Sequence, residues 1–368
     1  MRISRVDVFG YDLSYVHGEY VMSGGRVIEQ LESTVVRVTT DDGLAGWGEV
    51  CPLGPAYLPA HAGGARAALR ELAPAVVGLD PTNLAAVNGA MDAALLGHAY
   101  AKSPIDVACW DLLGQVAGLP VAALLGGVRQ ERFPLYMAVP LGPAGEMSDF
   151  VAARRAEGIH HFQLKIGGDP LEDAARVRAV AERLEDEDRL VADANGGWRL
   201  RDALLAARLI DDVGRVYLEQ PCPTLAECRS VRAVTSLPLV LDEVVSDVPS
   251  LLEASAIGGL AAINLKISKV GGLTKARALR DLAQGLGLAL TVEDTWGGDL
   301  VTASVAHLAA TVRPDALFTV SFMNDWTVEH IAGHRPRSQG GVGSAPTDPG
   351  LGVEVAVEAL GEPLFGSA

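Results

Sequence analysis

With 368 residues, 46 acidic side chains against 30 Lys and Arg, and a formal charge of −16, the chain is too long for one ordinary small domain. It also lacks the basic surplus that a nucleic-acid backbone or an anionic membrane demands. A chain of this length buries about three quarters of its unfolded surface and needs no disulfide or zinc staple. Its cysteines, Cys51, Cys109, Cys222 and Cys228, match neither pattern and read as buried thiols of a reducing compartment. The sequence holds no long apolar run of membrane-spanning length and no signal-peptide stretch. The expectation is a cytoplasmic protein with a small-molecule partner.

The N-terminal third reads as α+β. Alternating apolar and polar residues predict strands at Ile3–Leu13 and Thr34–Thr39, and Thr40-Asp41-Asp42-Gly43 predicts a turn into a return strand through Trp47 to Val50. Helical stretches follow near Ala65–Leu72, Leu84–Leu96 and Pro104–Ala117. Two Gly/Pro-containing segments, His17–Gly25 and Pro52–Gly63, are too long for tight turns and are candidate lids.

From Phe133 the texture changes to short apolar runs alternating with helical stretches. The runs are Phe133–Leu141, His161–Ile166, Leu190–Asp193, Val216–Glu219, Leu237–Asp242, Ala261–Ile267, Leu288–Glu293 and Leu317–Phe322. Strands alternating with helices predict a parallel sheet, and this many in so short a span predict a (β/α)8-type barrel rather than an open sheet. The Gly/Pro-rich tail from Gly333 holds no further unit and is expected to pack back on the N-terminal domain. The expected division is a cap over residues 1–125 with the tail 333–368, and a barrel over 126–332.

Polar residues that would be odd in a buried strand recur at the C-terminal end of successive units: Lys165, Asp193, Glu219, Asp242, Lys266 and Asp294, at spacings of 28, 26, 23, 24 and 28 residues. Any one of them alone reads equally well as a surface carboxylate or a helix cap. Six in phase place one mouth of the barrel, where barrel enzymes keep their active sites. Asp193, Glu219 and Asp242 are hard oxygen donors with no His or Cys beside them, a set suited to Mg2+ or Mn2+ rather than zinc. Lys165 and Lys266 flank the trio in strand order and are expected to face each other. Separated bases beside a divalent ion describe removal of a proton next to a metal-bound carboxylate, through an enediolate. To act as a base near neutrality a lysine must come down from about 10.4 to about 7–8, under desolvation and a nearby cation.

These residues in their contexts, with NLKISKVGG and the N-terminal cap, resemble the enolase superfamily, in its muconate-lactonizing-enzyme-like branch. The resemblance covers essentially the whole chain. It implies an α/β fold, a modified (β/α)7β TIM-type barrel with an N-terminal α+β capping domain, and Mg2+ at the carboxylate trio. In that branch a Lys-x-Lys pair is usual on the second barrel strand, where this chain has Gln163-Leu164-Lys165. Lys165 keeps the base position, its charged neighbour becomes a neutral amide, and Gln163 is available to hydrogen-bond a substrate carboxylate.

Within the branch, Gln163 together with AYLPAHAGGARAA, GHAYAKSPID and VEDTWGGD resembles enzymes of proline derivatives. This implies dehydration of cis-3-hydroxy-L-proline to pyrroline-2-carboxylate, with 2-epimerisation of proline betaine or 4-hydroxyproline betaine as the alternative. A non-catalytic metal-dependent binding protein is a more remote one. Tyr20, Tyr57, Trp296 and Trp326 fall in loops expected near the mouth, in a chain only 5% aromatic. With Asp294 and Asp325 they are expected to surround a ring carrying a cationic nitrogen. Asn195, in VADANGG, joins the candidate substrate contacts, whereas His98 and Lys102 read as structural. The expected partner is a proline-like imino acid or betaine, with no nucleic acid or membrane, and the chain is expected to assemble as a homo-oligomer.

Overall fold

The computed structural model describes the backbone of residues 1–368. Strand β1 (Ile3–Ser14) pairs antiparallel with β2 (Gln30–Thr40), and β2 with β3 (Ala45–Val50). The connecting turn closes through Gly43 N–H to Thr40 O at 3.0 Å, with Gly43 at φ +89°, a conformation glycine adopts without steric cost. Helices α1 (Ala62–Val76), α2 (Leu84–Ala94) and α3 (Ala99–Ala117) cover one face of this sheet around Val6, Val8, Val36, Leu69, Leu72 and Ile105.

Helix α3 begins before Pro104, where the preference of proline for a first turn had placed its start. Residues Ala101–Leu112 are buried without interruption, and that packing outweighs the one amide hydrogen bond a proline removes. The approach of β3 to α3 depends on glycine: a Cβ at Gly48 would lie 2.0 Å from Pro104 O, and one at Gly46 would lie 2.2 Å from Ala108 O.

The barrel strands β4 (Tyr136–Val139), β5 (His161–Lys165), β6 (Arg189–Asp193), β7 (Val216–Glu219), β8 (Leu239–Leu241), β9 (Leu260–Lys266), β10 (Ala289–Glu293) and β11 (Leu317–Val320) form an 8-stranded parallel sheet in chain order. A parallel bridge between Leu135 and Val320 joins its two ends. Their residues are mostly apolar and buried on both faces, as a filled barrel under a ring of helices requires. The crossovers are α4 (Ala144–Ala156), α5 (Pro170–Ala181), α6 (Leu200–Leu209), α7 (Leu225–Arg232), α8 (Val248–Ser255), α9 (Leu273–Gly285) and α10 (Asp299–Ala310). After β11 a short 3-10 turn, Met323–Trp326, stands in place of an eighth helix, which makes the barrel (β/α)7β.

Cap and barrel dock through buried carboxylates that satisfy free N–H groups at helix starts. Glu49 on β3 accepts from Gly298 N (2.9 Å) and Val301 N (3.2 Å) at the head of α10, and Asp106 on α3 accepts from Thr274 N (2.9 Å) at the head of α9. The tail first pairs Val342–Gly343 with Phe133–Pro134 and then passes the end of α3. It finishes as β12 (Phe365–Ser367), antiparallel to β1 at the edge of the cap sheet.

The segment His17–Gly25 contributes one arm of a small hairpin, Tyr20–Val21 against Val27–Ile28. All four cysteines are free and buried. Among the described residues no helix is long and apolar enough to cross a membrane.

Candidate active site

Parallel pairing sets the functional side chains at one level. Lys165 on β5 is in register with Asp193 on β6, Asp193 with Glu219 on β7, and Lys266 on β9 with Glu293 on β10. Asp242 follows the end of β8. Lys165 and Lys266 are each 5% exposed, while Asp193 and Asp242 are at 0% and Glu219 at 2%. All five therefore meet at the C-terminal mouth, beneath the cap loops.

The polar contacts divide the trio unequally. Lys165 Nζ lies 2.5 Å from Asp193 Oδ2, whose Oδ1 accepts from Asn195 N at 2.8 Å. Asp242 carries two ammonium groups: Lys266 Nζ at 2.5 Å from Oδ2 and Lys269 Nζ at 2.8 Å from Oδ1. Lys269 also reaches Asp242 O at 2.6 Å. Glu219 has neutral donors, Gln163 Nε2 at 3.1 and 3.3 Å and Asn264 Nδ2 at 2.7 Å.

The protein groups by themselves, without the cation that the expectation invoked, do not lower the lysine pKa values. Burial alone would lower Lys165, but the Asp193 carboxylate beside it outweighs burial and holds the group above its ordinary value. Lys266 is raised likewise, against burial, by Asp242, Glu293 and Glu243. Both lysines serve as counter-ions of the carboxylates. Burial, then repulsion from Asp193 and Asp242, pushes Glu219 well above the usual carboxylate range.

Several expected contacts change. Asp294 lines the cavity, but Ser268 N (2.9 Å), Ser268 Oγ and Thr295 N (2.7 Å) hold its oxygens, so it is turned into the wall rather than free for a ligand. Strand β10 ends at Glu293, as expected, and alternation along it sends Glu293 rather than Asp294 inward, to meet Tyr136 Oη, Asn264 Nδ2 (3.0 Å) and Lys266 Nζ (3.4 Å). Asp325 is bound to His334 Nε2 at 2.8 Å and does not line the cavity. Gln163 spends its amide on Glu219 rather than leaving it for a substrate carboxylate. Lys102 is paired with Asp92 at 2.7 Å, and His98 sits at the start of α3 in a left-handed conformation, φ +49°.

The aromatic expectation gathers as drawn in space. Tyr20, Trp296 and Trp326 are buried, with Trp296 ring centroids 5.5 Å from Tyr20 and 5.7 Å from Trp326. Tyr57, from the Pro52–Gly63 loop, donates its hydroxyl to Asp242 Oδ2 at 2.8 Å, and Lys266 Nζ contacts it from above the ring. Burial, then the Asp242 charge, pushes the Tyr57 phenol up, so it remains a neutral donor. Asn195 Nδ2 donates to Glu243 Oε1 at 3.1 Å, and its Oδ1 accepts from Ser23 Oγ at 3.1 Å, joining the first cap loop to the mouth. The cavity shared by Gln163, both lysines and these aromatics measures about 30 Å3. That admits about two waters, so a ring-sized ligand does not fit with the two cap loops as they stand.

Sequence reasoning missed Glu293, Asn264, Tyr136, Lys269 and Glu243. For the first two the signal was present, a period of two within β9 and β10 that sends Asn264, Lys266 and Glu293 to the interior.

Three buried carboxylates that repel one another, with oxygen as their only donor atom, fit a hard divalent cation. A separate group that does include an imidazole, His160, Glu187 and Asp188, lies just before the starts of β5 and β6, at the opposite end of the barrel. There Asp188 is held by Arg155 (2.6 Å) and His160 (2.8 Å), an ion-pair cluster away from the mouth.

Residues 146–359 match the family model of the enolase C-terminal domain-like fold, and residues 15–126 that of the mandelate racemase/muconate lactonizing enzyme N-terminal domain. The chain is 46% identical over 366 residues to cis-3-hydroxy-L-proline dehydratase of Roseibium aggregatum, covering 99% of each. It is 27% identical over 312 residues to N-succinyl-L-Arg/Lys racemase of Bacillus cereus, covering 84% of this chain and 83% of that one. A solved structure of an enolase superfamily member from Roseovarius nubinhibens ISM, complexed with magnesium, superposes with a TM-score of 0.93 at 37% identity. It covers 100% of this chain and 99% of that one.

Proposed function

Because the chain belongs to the mandelate racemase/muconate lactonizing enzyme branch of the enolase superfamily, we propose that it is a Mg2+-dependent dehydratase converting cis-3-hydroxy-L-proline to pyrroline-2-carboxylate. The observation that carries this reading is the pair of lysines, Lys165 and Lys266, on separate strands of one closed, aromatic-walled cavity. Full-length identity to a dehydratase of that acid supports the choice of substrate. In this reading residues 1–125, with the tail 333–368, form the cap and 126–332 the catalytic barrel.

One lysine takes the proton from the α-carbon in its neutral form, a state open to it once Asp193 or Asp242 is neutralised by the divalent ion rather than by the ammonium. The electron pair left behind forms the Cα–C3 double bond as the C3–O bond breaks, and the other lysine, already an ammonium, protonates the departing hydroxyl. Water is released, and the enamine tautomerises to the cyclic imine acid. Asp193, Glu219 and Asp242 would hold the divalent ion, which supplies charge stabilisation to the substrate carboxylate as the enediolate develops. Tyr57 spans Lys266 and Asp242 from the cap, so closure of its loop orders the base and excludes water together.

The two-lysine arrangement and the racemase relative favour one second reading, 2-epimerisation of a proline betaine, with the lysines exchanging roles across the α-carbon. Incubation in D2O separates the two. Formation of the imine acid from cis-3-hydroxy-L-proline supports dehydration; deuterium at the α-carbon with recovery of both epimers of a betaine supports epimerisation. Absence of reaction with every proline derivative would overturn both.

A further inference from the structure

The first cap loop, His17–Gly25, buries Tyr20, Met22 and Ser23, while residues 16–19 and 25–27 to either side are exposed. Tyr20 and Met22 line the cavity and belong to the apolar cluster of Trp296 and Trp326, a contact without direction. Among the described residues of the loop, Ser23 alone hydrogen-bonds the barrel through its side chain. Its Oγ lies 3.1 Å from Asn195 Oδ1 and 3.2 Å from Asp193 O, so one hydroxyl proton is shared between two acceptors in the turn after β6. Asn195 is held there at φ +45°, a left-handed conformation that asparagine tolerates. Its N–H donates to Asp193 Oδ1 at 2.8 Å and its Nδ2 to Glu243 Oε1 at 3.1 Å, which fixes the amide that receives Ser23. The base of the loop is held separately, by Val16 N–H on Trp326 O at 3.0 Å.

We propose that Ser23 is a positioning residue, the latch of the first cap loop: its hydroxyl fastens the loop to the Asp193–Asn195 turn and so holds Tyr20 and Met22 in the cavity wall. The inference rests on the reading of this mouth as the substrate site and adds the residue that keeps it shut. Donor and acceptors are all neutral, so the latch is indifferent to the protonation of the carboxylates around it. A buried hydrogen bond between neutral groups is worth about two- to tenfold in an equilibrium constant, and its loss shifts the loop towards its open form by that factor. The amide of Leu141, just past β4, reports the shift from outside the loop, because it donates to Val21 O at 2.9 Å while the loop is docked.

The test follows amide hydrogen exchange by mass spectrometry in the full chain without substrate, comparing the natural protein with Ser23→Ala and Ser23→Cys. Cysteine keeps nearly the shape of serine but is a weak donor, so it separates hydrogen bonding from packing. Both variants should exchange about two- to tenfold faster over residues 17–28 and at Leu141, with the cap sheet unchanged. Unchanged exchange in Ser23→Ala overturns the proposal, and so does natural protection in Ser23→Cys, which would assign the effect to packing. Steady-state kinetics on cis-3-hydroxy-L-proline add a second readout. Ser23 touches no reacting group, so KM should rise by the same factor with kcat within about twofold. A collapse of kcat at unchanged KM would place Ser23 in the chemical step and overturn the latch. If exchange responds as expected but no proline derivative reacts, the latch stands and the substrate reading falls, since the exchange arm uses no substrate.

Discussion

At the scale of residues, each lysine answers to a different carboxylate, so removing one has two separable consequences. Lys165→Ala and Lys266→Ala should each lower kcat by about 10²–10⁴-fold, the usual worth of a positioned acid or base. Neither should weaken Mg2+ binding, because each frees Asp193 or Asp242 from a competing ammonium. Calorimetric titration of Mg2+ checks this: a large loss of affinity in either variant would assign that lysine to ordering the carboxylates instead. The strand-end residues were legible because a βα unit has a nearly constant length, which turns sequence spacing into height on the barrel. The partners of those residues were not. Lys269 lies on a single helical turn after β9, and Glu243 beside a ligand candidate, where only the three-dimensional path decides which carboxylate each one meets. Asp294 was favoured over Glu293 although the run ends at Glu293 in the sequence as in the structure: the residue after the strand was given the place at the mouth, and one residue reverses inside and outside.

At the scale of elements, barrel strands and cap hairpin could be read because their signals are local, a short apolar run or a turn sequence. Helix α3 could be read only in part: what starts it early is burial against β3 and the barrel, a contact between segments far apart in the chain. Gly48 and Gly43 separate the two kinds of information. Gly43 has positive φ but open space around it, so Gly43→Ala should cost about 1–2 kcal/mol through backbone conformation alone. Gly48 has no such φ, yet an added Cβ would strike the backbone of α3 at Pro104 O, so Gly48→Ala should cost about 2–4 kcal/mol and displace the helix. Urea unfolding curves check both. A lower midpoint at unchanged slope is expected, and equal losses in the two variants would show that crowding at α3 is relieved without cost.

At the scale of the whole molecule, the tail is gripped at one residue by two ionisable groups of opposite response to acid. Leu351 N donates to Asp111 of α3 at 2.8 Å, and Leu351 O lies 3.0 Å from Nε2 of His307 in α10. His307 Nδ1 accepts from Ala122 N at 3.2 Å, which fixes the neutral tautomer with its proton on Nε2. Burial pushes the Asp111 carboxyl up from 3.8 to about 6 and pulls the His307 imidazole down from 6.5 to about 4. Between these values the folded state binds more protons at Asp111 than the unfolded chain does, so stability from that group is lost as pH rises from about 4 to 6. At His307 the folded state binds fewer, so stability from that group is lost as pH falls from about 6.5 to 4. Each is worth about 3 kcal/mol over its window, and in the natural protein they nearly cancel. Asp111→Asn should therefore lose about 3 kcal/mol more than the natural protein on acidification from pH 6.5 to 4, while His307→Leu, weaker at every pH, should regain about 3 kcal/mol of its deficit over the same range. Referring each variant to the natural protein at every pH removes the contribution of all other titrating groups, so a pH-independent difference in both would show that neither group is displaced from its ordinary value.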